Sequence, residues 1–291
     1  MNAAVDCVQE NCSTIPGSED GQTTSAACAS SFCVGAVAAL LFGDPDQQRC
    51  YACIVTQLPT STFAEIRDSC ANVVNQDLAF GGQNGLMILS AHPLQNVDEW
   101  VLPGTWNRRT ILSATVELPN GTGLDAYCNH LTPIFDESPI NTFPYTGHYG
   151  EGMTDAGGWQ AEQELQAEKL IDYVERTSQS QPAVIMGDLN SGFAYPEEDI
   201  VAEGEETLSL LESVFLAAYA EDFTPECTFC STNPVADSDS SVWIDHILLY
   251  NLTAENVVST ERVFDQAVVP VGDMTVPLSD HYGLSAVIVV P

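Results

Sequence analysis

Asp188 and Asn190 stand two residues apart in Ala183-Val184-Ile185-Met186-Gly187-Asp188-Leu189-Asn190. The four apolar residues ahead of Gly187 read as a buried strand. Strand side chains two apart point the same way, so this carboxylate and carboxamide share one rim. Hard oxygen donors so placed suit Mg²⁺, Mn²⁺ or Ca²⁺, or a phosphate bound to such an ion. A strand running into an ordinary Asp/Asn turn is the plainer alternative.

Further ionisable groups recur where apolar runs stop. Gln9-Glu10 closes the run that starts at Val5, read as a short strand ending in a metal-ligand candidate. His130 ends the run 123–129 and is followed by Leu131-Thr132-Pro133. An imidazole there can donate to a phosphate oxygen, although a lone histidine is more often structural. Asp245 lies inside the run 242–249. A carboxylate in a buried strand is costly unless paired, so its expected use is to hold a histidine in one orientation. His246 should face the other way and reads as structural. Asp280-His281 precedes a terminal core strand, 285–290, which fixes both in place.

These groups need strands and helices to bring them together. Strands are expected at 85–90, ended by His92-Pro93, and at 110–118, which turns at Pro119-Asn120-Gly121 into 123–129. Amphipathic helices are expected at 155–177 and 204–219. The former leads into the Asp188 strand and makes a strand–helix–strand passage. Residues 133–158 read as a long loop rich in Gly, Pro and aromatics, including His148 and Phe143-Pro144-Tyr145. Segment 11–80 is cysteine-rich, with a helix at 25–42 and shorter ones at 46–58 and 62–74, and reads as a stapled insertion.

The net charge of −34, from 41 acids against 7 bases with Lys169 the single lysine, repels polyanions. Such a surface gives no electrostatic footprint for nucleic acid, though a divalent metal can still make a local positive site. Arg108-Arg109 reads as a surface pair at a strand entrance. Ten cysteines suggest disulfides and an oxidising, secreted or periplasmic setting. The rival is a four-sulfur zinc site from Cys50-x-x-Cys53 and Cys227-x-x-Cys230. No apolar run is long enough to span a membrane, and no signal peptide is visible at Met1.

Gln9-Glu10, Gly85-Leu86-Met87-Ile88-Leu89-Ser90, Asn129-His130-Leu131, Gly187-Asp188-Leu189-Asn190, Ile244-Asp245-His246-Ile247 and Ser279-Asp280-His281, in that order, resemble the endonuclease/exonuclease/phosphatase superfamily. The resemblance implies an α/β fold, a four-layer α/β/β/α sandwich of two mixed β-sheets flanked by helices. It covers the chain as one domain, 1–291, with 11–80 inserted. It implies metal-dependent hydrolysis of a phosphodiester or phosphomonoester. By motif, Glu10 resembles the metal-binding glutamate and Asp280 a further metal-site acid. His281 resembles the histidine on the attacking-water side, oriented by Asp245. Asp188 and Asn190 resemble the pair that positions water and phosphate, and His130 the phosphate-contacting histidine. The family also begins with a strand bearing an asparagine near the metal. Asn2 is too close to Glu10 to fill that role, so the expectation is a truncated chain, a reduced activity or another group in the asparagine's place.

The expected function is therefore a secreted, metal-dependent phosphoric ester hydrolase, a monomer acting on nucleic acid or a phospholipid headgroup. A non-catalytic binding protein that keeps the fold is the alternative from a different class.

Overall fold

The computed structural model describes residues 2–12, 33–41, 47, 50–51, 54, 63–70, 85–105, 109–135, 145, 149, 155–236, 238–272 and 274–291. His148, Phe143-Pro144 and most of the expected loop 133–158 lie outside them. Two compact units emerge: 1–83, 103–108 and 135–159 form one, and 84–102, 109–134 and 160–291 the other.

Among the described residues the first unit carries the helices α1 (Asn2–Cys12), α2 (Val34–Leu41) and α3 (Phe63–Cys70). The strand expected at 5–10 is a helix, and Glu10 is exposed on it. Burial shows why. Ala4, Val5 and Val8 are buried while Asp6, Gln9 and Glu10 are exposed, a helical spacing that an alternating strand would scramble. Ala4 and Val5 pack with Leu40, Ile54 and Ile66. Cys7 is bonded to Cys33, and Arg67 binds Asp6 at 2.6 Å.

The second unit is built on a six-stranded mixed sheet in the order β1-β2-β3-β4-β6-β5. Its strands are β1 (Leu94–Val101), β2 (Thr110–Glu117), β3 (Gly123–His130), β4 (Ala183–Asp188), β5 (Leu216–Ala217) and β6 (Asp245–Tyr250). Only β3 and β4 run parallel, joined through helix α4 (Asp155–Ser178). Helix α5 (Glu205–Glu212) is shorter than the expected 204–219, because the chain straightens to add β5 beside β6. Residues 85–90 form no strand. Their alternation survives, with Ile88 packed inward and Met87 and Leu89 exposed. β1 forms the edge of the large sheet beside β2 and bulges between Gln95 and Asp98.

Alternation along the strands sorts two cores. Ile111, Tyr127, Ile185 and Leu248 meet Leu170, Val174, Leu208 and Leu211 of the helices. On the other face, Ala126, Val184 and Leu249 meet Val257, Ala286 and Ile288. These last belong to an antiparallel pair, β7 (Val257–Val263) with β10 (Gly283–Ile288). A small hairpin, β8 (Val269–Val271) with β9 (Met274–Val276), lies between them in sequence. Helices, large sheet and small sheet are thus the layers of an α/β sandwich. No helix among the described residues is long and apolar enough to cross a membrane.

Gly187 sits where β4 ends, with φ +148°, and a Cβ there would fall 1.9 Å from the Asn129 carbonyl oxygen. Gly187→Ala should therefore destabilise the second unit by about 3 kcal/mol or more, read as a lower denaturant midpoint. A midpoint equal to wild type would show that β3 and β4 do not approach so closely at Asp188.

Candidate active site

The two-residue period places three ionisable side chains on one face at one sheet end. Four residues beyond Ala126 and Val184 stand His130 and Asp188, and four before Leu249 stands Asp245, all on the face covered by β7 and β10. Register aligns them, His130 opposite Asp188 and Asp188 opposite Asp245. The Asp188 carboxyl lies 3.2 Å from His130 Nε2. His281, two residues ahead of β10, is carried over that face and donates from Nδ1 to Asp245 Oδ2 at 2.8 Å.

Asn190 follows in the turn, with φ +47°, a left-handed conformation that asparagine tolerates. Its N–H donates to Asp188 Oδ1 and its Nδ2 to the Leu131 carbonyl, both at 2.8 Å. The carboxamide thus ties the ends of β3 and β4 together. Gln163 of α4 reinforces this, donating to the carbonyls of Thr132 and Asn190 at 2.7 Å each.

Asp280 is exposed beside His281, its carboxyl accepting from Ser279 Oγ at 3.0 Å. Glu10 belongs to the first unit. His246 is buried on the opposite face, its ring nitrogens bonded to the Tyr219 hydroxyl and the Ser191 carbonyl, and burial lowers its pKa to about 4. It is structural, as its position in the strand predicts.

The reading of Arg109 as a surface residue is corrected. Arg109 is only 6% exposed and its Nε has no partner. Burial lowers its pKa to about 10 against the charges of Asp188 and Glu162, so it stays a cation. Hairpin arithmetic from the turn at Gly121 would have found it. Ile111 pairs with Asn129, so Arg109 falls at the His130 end of the sheet. Asn129, facing away from His130, is also buried, with neither side-chain polar atom bonded.

The charges divide into two kinds. Burial, then the Asp245 charge, raise the Asp188 pKa to about 7 against His281 and Arg109. Burial works against a cation at His281, but the hydrogen bond and charge of Asp245, joined by Asp188 and Asp280, raise it to about 9. Burial and Arg109 lower His130 to about 3, so it is neutral. The site holds an acid poised near neutrality, an imidazolium, a buried guanidinium and a neutral imidazole. That set can take a proton, give one and receive an anion.

The zinc alternative fails at its second pair, because Cys227 and Cys230 are bonded to each other. Cys50 and Cys128 carry no disulfide. Among the described residues no three His, Cys, Asp or Glu side chains group as a metal cage. Asp188 and Asp245 supply two neighbouring carboxyls but not a complete donor set.

A model of the Endonuclease/Exonuclease/phosphatase family matches residues 35–281. No curated protein matches the chain. Among solved structures, it is similar to the 3′ phosphatase NExo from Neisseria bound to a product DNA hairpin, at 16% identity and TM-score 0.48, over 69% of this chain and 73% of that one. It is similar to a mannosyl-6-phosphatase from Bacteroides thetaiotaomicron, at 14% and 0.44, over 68% and 67%. It is also similar to the human Nocturnin catalytic domain with bound sulfate, at 15% and 0.35, over 58% and 50%.

Proposed function

The chain belongs to the endonuclease/exonuclease/phosphatase family, and we propose that it is a phosphoesterase that hydrolyses a phosphodiester or phosphomonoester at the end of β3, β4 and β6. The observation that supports this most is the side-by-side placement of His130, Asp188 and Asp245 with His281 above them. Phosphate esters resist attack because their oxygens are anionic. The His281 imidazolium offers the positive charge that would receive such a group, and the buried Arg109 guanidinium adds its field at Asp188.

Proton states assign the roles. Asp188 is the proton acceptor for water, since its pKa of about 7 leaves it part-ionised at neutral pH. His281, with Nδ1 given to Asp245, keeps its second N–H for a phosphate or leaving-group oxygen. The resemblance put His281 on the attacking-water side and Asp188 among the groups that position water, and the proton states give the acceptor role to Asp188. His130 contacts phosphate as a neutral donor. Asn190 positions Asp188 through its backbone N–H.

Members of this family typically use a divalent metal, and Mg²⁺, Mn²⁺ or Ca²⁺ belongs to the proposal. The described residues do not complete a cage for it, so no step here runs through one. The surface charge of −34 favours a small ester or a phospholipid headgroup over a long nucleic acid. Its disulfides fit a secreted or periplasmic protein.

Hydrolysis of bis-p-nitrophenyl phosphate tests the reading. Turnover is expected with Mg²⁺ or Mn²⁺, falling to background on chelation and returning when metal is restored. No turnover with any of the three metals would favour the non-catalytic binding protein.

A further inference from the structure

The Cys227–Cys230 loop lies between the two chain segments that carry Asp245 and His281. Thr228 inside it is fully buried. Its Oγ1 accepts the N–H groups of Ile244 and Asp245, each at 3.1 Å. Its N–H donates to the Val242 carbonyl at 3.1 Å, and its carbonyl accepts the Tyr282 N–H at 2.8 Å. One residue therefore bonds the backbone on both sides of the carboxylate–imidazole pair. Phe229 repeats the pattern, bridging Val242 on one side and His281 on the other, its ring centroid 4.9 Å from the imidazole. Past the disulfide, the Cys230 carbonyl accepts the Asn233 N–H, and Asn233 Nδ2 donates to the Ser279 and Asp280 carbonyls at 3.0 Å each.

A disulfide that only stapled a surface turn would need none of these bonds. Here the loop's hydrogen bonds go to residues flanking the site. The structure assigns to Thr228 the role of a positioning residue for the Asp245–His281 pair, and to the Cys227–Cys230 disulfide that of a redox-sensitive brace on it. This rests on the phosphoesterase reading above. An external dithiol supplies two electrons and two protons. The sulfur–sulfur bond breaks, two cysteine thiols form, and the dithiol closes to its own disulfide. Two thiols cannot remain at bonding distance, so the loop widens and Thr228 and Phe229 lose their register with Asp245 and His281.

The test treats the full chain with dithiothreitol under native conditions and maps alkylated Cys227 and Cys230 by mass. It then measures kcat and KM on bis-p-nitrophenyl phosphate. Reduction should lower kcat about 10- to 100-fold with KM within about twofold, reversibly on reoxidation. Cys227→Ser/Cys230→Ser should start low and ignore dithiol. Thr228→Val should lose a similar factor and Thr228→Ser should recover most of it. Unchanged kcat with both cysteines alkylated, a dithiol response in the double variant, or a fully active Thr228→Val would each overturn the assignment. If the double variant does not fold, the Thr228 pair decides. Amide exchange at Ile244, Asp245 and Tyr282 separates this failure from that of the phosphoesterase reading. Exchange should quicken on reduction even without turnover, and unchanged exchange would overturn the brace.

Discussion

Asp188→Asn should cut turnover about 10³-fold or more and at the same time make the protein more stable at pH 8. Asparagine matches the shape of aspartate and can still accept the Asn190 N–H that Asp188 Oδ1 accepts at 2.8 Å. It cannot take a proton from water. The stability gain follows from where the carboxyl sits. Burial and the facing Asp245 charge raise its pKa to about 7 from the ordinary 3.8. A folded-state value above the unfolded one means the ionised group opposes folding. Its contribution is full below about pH 4 and is lost as pH rises through about 7. Removing the charge should restore on the order of 1–3 kcal/mol above neutrality, a rise in Tm of several degrees, and almost nothing at pH 4. Such opposite signs for activity and stability mark a group kept for chemistry rather than for packing. A variant that keeps its activity, or melts lower than wild type at pH 8, would remove Asp188 from the acceptor role.

Much of this site was legible in the sequence because strands obey a two-residue period. That period places Asp188 and Asp245 on one face once their strands are found, and sets His246 against Asp245 on the other. The turn at Gly121 fixes the hairpin register and brings Arg109 to the His130 end, although an arginine before a strand looks like a surface group when read alone. Two kinds of feature were beyond the pattern. Val5 to Glu10 holds apolar residues that suit either period over so short a run, and the helix wins because Ala4, Val5 and Val8 then share one buried face. Thr228 offered no pattern at all. Its role comes from a backbone path that brings residues 228, 244 and 282 together, and no local spacing encodes that meeting. The failed strand at 85–90 makes the related point that alternation identifies a face, with Ile88 packed inward, whereas the backbone pairing that makes a strand is not encoded in it.

His281 supplies the second large effect, and its pH dependence distinguishes the two roles open to it. With Asp188 as acceptor and His281 as imidazolium, turnover of the wild type should rise as pH passes about 7 and fall as it passes about 9. The groups interact, so each limb belongs to the coupled set rather than to one residue. Were His281 the base, the rate would instead climb through pH 9. His281→Ala should lower kcat about 10²- to 10⁴-fold and abolish the alkaline limb. Asp245→Asn is the sharper variant. The Asp245 charge raises both neighbours, so removing it should shift the acid limb and the alkaline limb together toward lower pH. A merely structural aspartate would lower the rate without moving either limb. The same linkage has a stability counterpart. His281 is raised above its ordinary 6.5, so its pairing with Asp245 stabilises the fold fully below about pH 6.5 and is lost as pH rises through about 9. Tm measured from pH 6 to 10 should therefore fall more steeply in wild type than in His281→Ala. Equal slopes would mean that the 2.8 Å contact carries no charge at neutral pH, and the imidazolium role would then have to be abandoned.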